Sequence, residues 1–308
     1  MKLRSVFSVT LLAATFFAGR AFAGSDKDVV TPEATPAPFR FAGEFVLEQS
    51  YVGPSDVSRG SRDVEDFDEL YTFLKFVYTP RVKYGIIRVG AQLERYSLGY
   101  PNGGQQLPNT LQALNAVVGF DTRLGDSILV RLEAQPGFYG TTFDHLEGNQ
   151  FNVPFILGGT YIYSPELQFV LGVGVNIQQH YPVLPGGGIR WKFAPKWVLN
   201  AVLPTPRLEY AASDNVTAFV GGDIKANTFR VNDRFGTSHG DTALNNAWLS
   251  YEEIRAGAGI DWKLSSNLTL RVEGGYAAYH DFDFHRTQVH YHNESGAPYA
   301  SVMLQGSF

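Results

Sequence analysis

His280, Asp281, Asp283, His285, His290, His292 and Glu294 crowd one stretch near the end of this chain. Imidazoles and carboxylates are the side chains that hold divalent cations, and His290-x-His292 offers a two-point clamp. With His285 nearby, these three histidines are the metal candidates, but no distant second set of ligands accompanies them and the expectation is no metal site. A solvated outward loop has the same composition. A second stretch, Ser238-His239-Gly240-Asp241, has the residue types of a hydrolase. A hydroxyl next to an imidazole in sequence does not place nucleophile and base in contact, and no signature such as His-x-Ser-Asn-Gly surrounds it. The expectation is therefore no enzyme and no cofactor, with a lipase or protease at a membrane rim as the alternative.

The other charged residues follow a stricter rule. Arg131 and Glu133, Arg207 and Glu209, Asp223 and Lys225, Glu253 and Arg255, and Arg271 and Glu273 stand two residues apart. Arg88, Glu94, Arg190 and Lys192 fall into the same alternation with apolar neighbours. Side chains two apart share one face of a strand. All fourteen are expected to line the interior of a barrel, where rows of opposite sign would impose a transverse field on polar solutes. The alternative is that they pair across a filled interior and conduct nothing.

Such charges need strands of a particular kind to position them. Leu167, Phe169, Leu171, Val173, Val175 and Ile177 alternate with Gln168, Val170, Gly172, Gly174, Asn176 and Gln178. One face is wholly apolar and the other is mostly polar or bare. A strand in a soluble sheet runs to about 5–6 residues, whereas crossing hydrocarbon at a tilt takes about 9–11. The pattern recurs at Ile128–Gln135, Trp248–Trp262 and Leu268–Tyr276. Lipid cannot satisfy backbone amides, so strands span it only when hydrogen bonding closes them into a ring. The sequence thus predicts an all-β chain, a transmembrane antiparallel up-and-down β-barrel with a polar interior.

Both ends agree with export to a membrane. Met1–Ala23 has Lys2 and Arg4, an apolar run from Val6 to Gly19, and Ala21-Phe22-Ala23 as a small-x-small cleavage site. Residues 24–42 hold Thr31-Pro32-Glu33-Ala34-Thr35-Pro36-Ala37-Pro38, an extended lead expected in the periplasm, and 43–308 form the barrel. The formal charge is −5, and removing the signal takes away basic residues alone, which argues against a nucleic-acid partner. Cysteine is absent, so no disulfide staples an exported chain and closure and burial must hold it.

Two kinds of connection alternate. Tight turns are read at Thr79-Pro80-Arg81, Leu124-Gly125-Asp126, Ser164-Pro165-Glu166, Ala194-Pro195-Lys196, Ser213-Asp214-Asn215 and Leu264-Ser265-Ser266. Longer loops are read at Gly53–Phe67, Gly99–Asn109, Tyr139–Gln150, His180–Gly186, Asn232–Asn246 and Asp281–Ser295, with a bend at Pro204-Thr205-Pro206. Short turns facing the periplasm and longer loops facing outward give about fourteen strands, or twelve if a short pair between Gly187 and Ala212 is merged. A three-residue turn at Leu264-Ser265-Ser266 would set Arg271 opposite Gly259, Glu273 opposite Gly257, Arg255 opposite Gly275 and Glu253 opposite Ala277. Tyr71, Tyr78, Tyr84, Trp191, Trp197, Trp248 and Trp262 lie near strand ends, where rings are expected at the lipid headgroups.

The chain closes on Val302-Met303-Leu304-Gln305-Gly306-Ser307-Phe308, a terminal aromatic behind alternating apolar residues. This resembles the C-terminal assembly signal of Gram-negative outer-membrane barrels, with Phe308 as its key residue and Gly306 a departure from the usual larger residue. The segment Leu184-Pro185-Gly186-Gly187-Gly188-Ile189-Arg190-Trp191, with Trp197-Val198-Leu199 and Leu203-Pro204-Thr205-Pro206-Arg207-Leu208-Glu209-Tyr210, resembles an uncharacterised family of predicted outer-membrane β-barrels. That resemblance implies the fold and transfers no functional residues. The expected partners are outer-membrane lipid and the barrel-assembly machinery. The expected function is a porin-like passive channel for small hydrophilic solutes in the cell outer membrane, with an adhesive barrel as the alternative.

Overall fold

A computed structural model describes residues 42–59, 62–100, 107–143, 148–179, 181–285, 287, 289–293 and 295–308. The expected signal at 1–23 and all but the last residue of the lead at 24–42 lie outside the described residues, as do His180 and Glu294.

Fourteen strands form one sheet closed on itself. They are β1 (Gly43–Arg59), β2 (Arg62–Tyr78), β3 (Gly85–Gly99), β4 (Thr110–Leu124) and β5 (Ile128–Ala134, resuming as Gly137–Gly140). Next come β6 (Phe151–Asn152, resuming as Phe155–Ile162), β7 (Leu167–Val175), β8 (Val183–Ala194), β9 (Trp197–Asn200) and β10 (Arg207–Ala211). The last are β11 (Val216–Arg230), β12 (Trp248–Ser265), β13 (Leu268–Phe284) and β14 (His290–Asn293, resuming as Ala297–Ser307). Each strand pairs antiparallel with its neighbours in sequence. β1 closes the ring on β14, from Glu44 opposite Ser307 to Val52 opposite Tyr299. Closure gives every strand two hydrogen-bonded edges, which is what lets a sheet stand in hydrocarbon.

Side-chain direction follows the alternation. Leu47, Phe76, Val89, Val118, Leu171, Val220, Val272 and Val302 are exposed, while Glu48, Arg88, Glu94, Lys225 and Arg255 are buried. Soluble proteins rarely expose contiguous apolar patches above a few hundred Å², so a belt of this extent calls for lipid around it. At the end with the short turns, Trp191, Phe193, Trp197 and Tyr210 form a chain of ring contacts with centroids 5.5, 6.5 and 4.8 Å apart on the outer wall. Tyr84 and Trp262 are also exposed there. Tyr71 and Trp248 correct the expectation, since Tyr71 is buried inside the barrel and Trp248 is buried with the Arg230 guanidinium over its ring.

Two expected loops are strand. Within Gly53–Phe67, Gly53–Arg59 belongs to β1 and Arg62–Phe67 to β2, and their register shifts between Val52 and Ser55 and again between Ser55 and Val57. A bulge tolerates Pro54 because it leaves an unpaired position there. Likewise β13 continues to Phe284 and β14 begins at His290, with Asp281 opposite His292 and Asp283 opposite His290. The β12–β13 register is corrected as well: Arg271 faces Asp261, Glu273 faces Gly259 and Arg255 faces Ala277. These three are displaced by two positions from the expectation, so the faces are unchanged while the partners differ.

Gly306 has a specific cause. A Cβ there would come within 2.4 Å of the Phe45 ring, which stacks on Phe308 at 6.0 Å. Phe45 occupies the space that a larger residue would take.

The wall is uneven. β9 and β10 are short. Toward the outer end, Gly140 of β5 bridges to Arg230 of β11 across the interior, pinching the barrel there. The β11–β12 connection holds a short helix, Phe235–Ser238, and one turn of tighter helix, Thr242–Leu244.

Candidate functional site

Charges facing the interior cannot be left alone, because burying an unpaired ion costs several kcal/mol. The structure gathers them into two webs. Near the short-turn end, Arg88 makes a two-pronged contact with Glu44 at 3.0 and 2.9 Å and reaches Glu133 at 3.4 Å and Asp121 at 3.7 Å. Arg131 holds Asp121 at 2.6 Å, and Lys75 holds Glu133 at 3.3 Å. On the far side of the same end, Arg271 pairs with Asp261 at 2.5 Å, and both Arg207 and Arg271 lie over the ring of Phe219.

The second web sits deeper. Lys225 lies 3.7 Å from the centre of the Tyr71 ring, 3.5 Å from Glu48 and 3.9 Å from Asp223. Glu94 accepts hydrogen bonds from Tyr96 at 2.8 Å, Tyr71 at 3.3 Å and Asn227 at 2.5 Å. Arg255 donates to Ser50 at 2.8 Å, Glu253 at 2.9 Å and Glu69 at 3.2 Å. Tyr251 donates to Glu69 and to Glu253, and His280 Nε2 lies 3.2 Å from Glu253. Above this web an aromatic layer of Phe67, Tyr96, Phe229, Tyr251, Phe282 and Phe284 fills the outer half of the interior.

Of the fourteen charges expected in the interior, Arg190, Lys192 and Glu209 belong to neither web, and the others fall into these places with some differences of partner. Glu253 with Arg255, and Asp223 with Lys225, contact each other as neighbours on one strand. Arg131 and Arg271 instead pair across the ladder with Asp121 and Asp261, while Glu273 accepts from Tyr299 at 2.5 Å. Arg190 and Glu209 are half-buried, and Lys192 is exposed. Opposite signs are thus interleaved, and separate rows of one sign do not form. Sequence reading missed Glu44, Glu48, Glu69, Lys75, Asp121 and Asp261, which complete the webs. Asp261 shares a strand and a face with Glu253 and Arg255, so carrying the alternation to the strand end would have found it, whereas Glu44, Glu48, Glu69, Lys75 and Asp121 lie on β1, β2 and β4, where no charge had been assigned.

The histidine-rich stretch divides. His280 points inward to Glu253, while His290 and His292 lie on the opposite face with ring centres 5.9 Å apart, and His290 Nε2 meets Asp281 at 2.5 Å. His285 stands in the β13–β14 turn, where its backbone N–H donates to Trp248 at 2.8 Å. Among the described residues, the set whose ligand atoms lie within 4.8 Å of one another is Glu69, Glu253 and His280, and it includes none of the three candidate histidines. Arg255 already supplies the cation between those two carboxylates, so the set does not fit a metal ion. At the other candidate, His239 Nδ1 lies 2.7 Å from the Phe235 carbonyl and 3.0 Å from Ser238 Oγ, and Asp241 accepts from the Ala243 N–H at 3.1 Å. Asp241 caps a turn there.

Comparison with known proteins adds a family. The profile of a family described as a domain of unknown function, DUF6268, matches residues 107–303. The chain belongs to this family. The match covers strands from the approach to β4 into β14, so the interior webs of this DUF6268 chain draw partners from inside and outside the matched span. No curated protein matches it. Among solved structures, the Pseudomonas putida toluene transporter TodX is 14% identical, with a TM-score of 0.38 over 88% of this chain and 90% of that one. The NanC porin is 11% identical, at 0.38 over 86% and 100%. The KdgM porin in complex with disordered oligogalacturonate is 10% identical, at 0.34 over 85% and 99%. Likeness at this level carries no argument about what the DUF6268 chain passes or binds.

Proposed function

We propose that this protein is an outer-membrane channel for small hydrophilic solutes, with its outer mouth held shut by the β11–β12 loop. The observation that carries the reading is the way that loop is seated. Phe235 and Leu244 are buried among Leu107, Trp248, Leu249, Phe284 and Val289, with the Phe235 and Phe284 rings stacked at 6.0 Å. The loop's polar groups close on themselves: Asp241 N–H donates to the Gly236 carbonyl at 2.8 Å, and the Asn245 side chain accepts from the Thr237 N–H and donates to the Thr237 hydroxyl. A unit that satisfies its own hydrogen bonds and docks through apolar side chains can leave the mouth without orphaning backbone groups. Apolar constrictions of this kind gate by excluding water. Below the lid and the aromatic layer it packs against, the inward face is polar, and the apolar outer wall supports a place in lipid.

The test is electrical. Purified full-length protein in planar bilayers is expected to give rare, brief openings. Replacing residues 233–245 by a short Gly-Ser link is expected to raise mean conductance by on the order of tenfold or more. A lid-shortened barrel that inserts normally yet stays silent at all voltages would overturn the channel and favour a filled, non-conducting interior.

A further inference from the structure

A band of neutral amides runs around part of the inner wall, beside the charged webs and separate from them. The register sets Gln92 of β3 opposite Asn115 of β4, Asn115 opposite Gly137 of β5, and Gly137 opposite Asn152 of β6. Asn152 Nδ2 then donates to Asn176 Oδ1 at 2.9 Å, at the end of β7. Gln92, Asn115, Asn152 and Asn176 are all more than nine-tenths buried, and Gln179 beside them is too. Their neighbours Ala91, Leu114, Ala116, Phe151 and Val153 are exposed on the outer wall, so the amides face inward. Gly137 has to be bare for the band to be continuous, since a Cβ there would lie 2.4 Å from Asn115.

Five buried amides in one place would ordinarily satisfy one another, because an unpaired buried polar group costs about 1–3 kcal/mol. These do so incompletely. Gln92 Oε1, Asn115 Oδ1, Gln179 Oε1 and Asn176 Nδ2 have no hydrogen-bond partner among the described residues. The nearest charges on this wall already have partners: Lys75, directly opposite Gln92, and Arg88, Arg131 and Glu133 pair with each other or with Glu44 and Asp121, and Glu94, two residues along β3, accepts from Tyr96, Tyr71 and Asn227. On β6, β7 and β8 the inner face next to Asn152 and Asn176 carries Ile156 opposite Gly174 and Gly174 opposite Leu184, and beyond that row Gly158, Gly172 and Gly186 stand opposite one another with no side chain. The band therefore presents free acceptors together with a free donor and no net charge.

We propose that this amide band is a binding site for an uncharged, polyhydroxylated solute of sugar size. A hydroxyl both donates and accepts, so a ring of hydroxyls can meet unpartnered amide oxygens and an unpartnered amide N–H at once. A charged sugar keeps such hydroxyls but would also have to bury its ion where the charges on this wall are already paired, which is strongly unfavourable. The inference deepens the channel reading by naming the solute class, and it rests on that reading for its biological sense.

Binding can be measured without conduction. Glucose, glucuronate and glucosamine share a ring and differ in charge, so each is offered to the detergent-solubilised full chain, with and without the lid, and followed by saturation-transfer NMR. Glucose is expected to bind on the order of tenfold more tightly than either charged analogue. The double variant Gln92→Leu, Asn115→Leu should lose glucose binding by a similar factor while keeping its folded mobility on unheated gels. If that variant fails to fold, Asn115→Ser alone gives a smaller loss in the same direction. Absence of glucose binding to the wild type, equal binding of all three sugars, or unchanged binding in the variants would overturn the proposal. A lid-shortened barrel that conducts but ignores glucose defeats the site and leaves the channel, whereas glucose binding without conductance does the reverse.

Discussion

Replacing Arg255 by Leu is expected to lower the unfolding free energy by about 3–5 kcal/mol, the range found when one partner of a buried ion pair is removed. Arg255 sits at the centre of the deeper web, donating to Ser50 on β1, Glu69 on β2 and Glu253 on its own strand β12. It ties together strands on both sides of the seam where β1 meets β14. The carboxylates of Glu69 and Glu253 are completely buried and share Tyr251 as a donor, so without the guanidinium two anions face each other in a water-poor interior. Their mutual repulsion adds to the desolvation of each. The measurement is urea unfolding in lipid vesicles, read by the loss of compact mobility on unheated gels. Removing one of the stranded charges in the double variant Arg255→Leu, Glu253→Gln should recover part of the loss, because the remaining Glu69 then faces a neutral amide. A single variant that unfolds at the wild-type urea concentration would mean the web is solvated and the interior open at that level.

This web also marks the limit of what the sequence made legible. The period-two pattern gave the class of fold and the facing of nearly every strand, since the residues that alternate are large enough in number to outweigh local exceptions. Fourteen strands and the alternation of short turns with longer connections follow from the same signal. Strand ends were harder. Gly53-Pro54-Ser55 has the composition of a turn, yet β1 passes through it on a bulge, because pairing with β2 on either side outweighs the local preference. Register was harder still: Ser265 opposite Leu268 makes a tighter turn than the expected one, and Arg271 gains Asp261 instead of lying over a glycine.

The contents of the interior were the least legible, for a physical reason. Alternation says which way a side chain points but not what meets it across the lumen, which depends on the cross-section of the barrel. Tyr71 illustrates this: its position near a strand end suggested the lipid interface, but it faces inward, covers Lys225 and donates to Glu94. The amides were invisible for a second reason. Gln92, Asn115, Asn152 and Asn176 carry no charge, lie far apart in sequence, and acquire meaning only when the register sets them side by side. The loop bearing Phe235 and Leu244 is read as a connection by any pattern of hydrophilic residues, and its inward fold depends on two apolar residues finding the mouth.

Leu171→Arg should destabilise the protein in lipid by about 2–4 kcal/mol, the penalty for a basic side chain on the lipid face of a barrel near the bilayer midplane. Leu171 is 73% exposed on the outer wall and stands at the middle of β7, so its surroundings must be supplied by whatever solvent bathes that wall. In hydrocarbon the guanidinium has to be dragged toward a headgroup, whereas in water the same substitution would relieve an exposed leucine and cost almost nothing. The sign and size of the effect therefore report the medium. Urea titration of the vesicle-inserted variant against wild type gives the number, with Leu171→Phe as a control that keeps the face apolar and should stay near wild type. Nitroxides at Leu171 and at Gln168, which faces inward opposite Arg190, supply an independent readout. The first should be relaxed by oxygen dissolved in lipid and the second by a water-soluble nickel chelate. An arginine tolerated without loss at position 171, together with nickel access there, would place water outside the wall, and the channel reading would then have no membrane to cross.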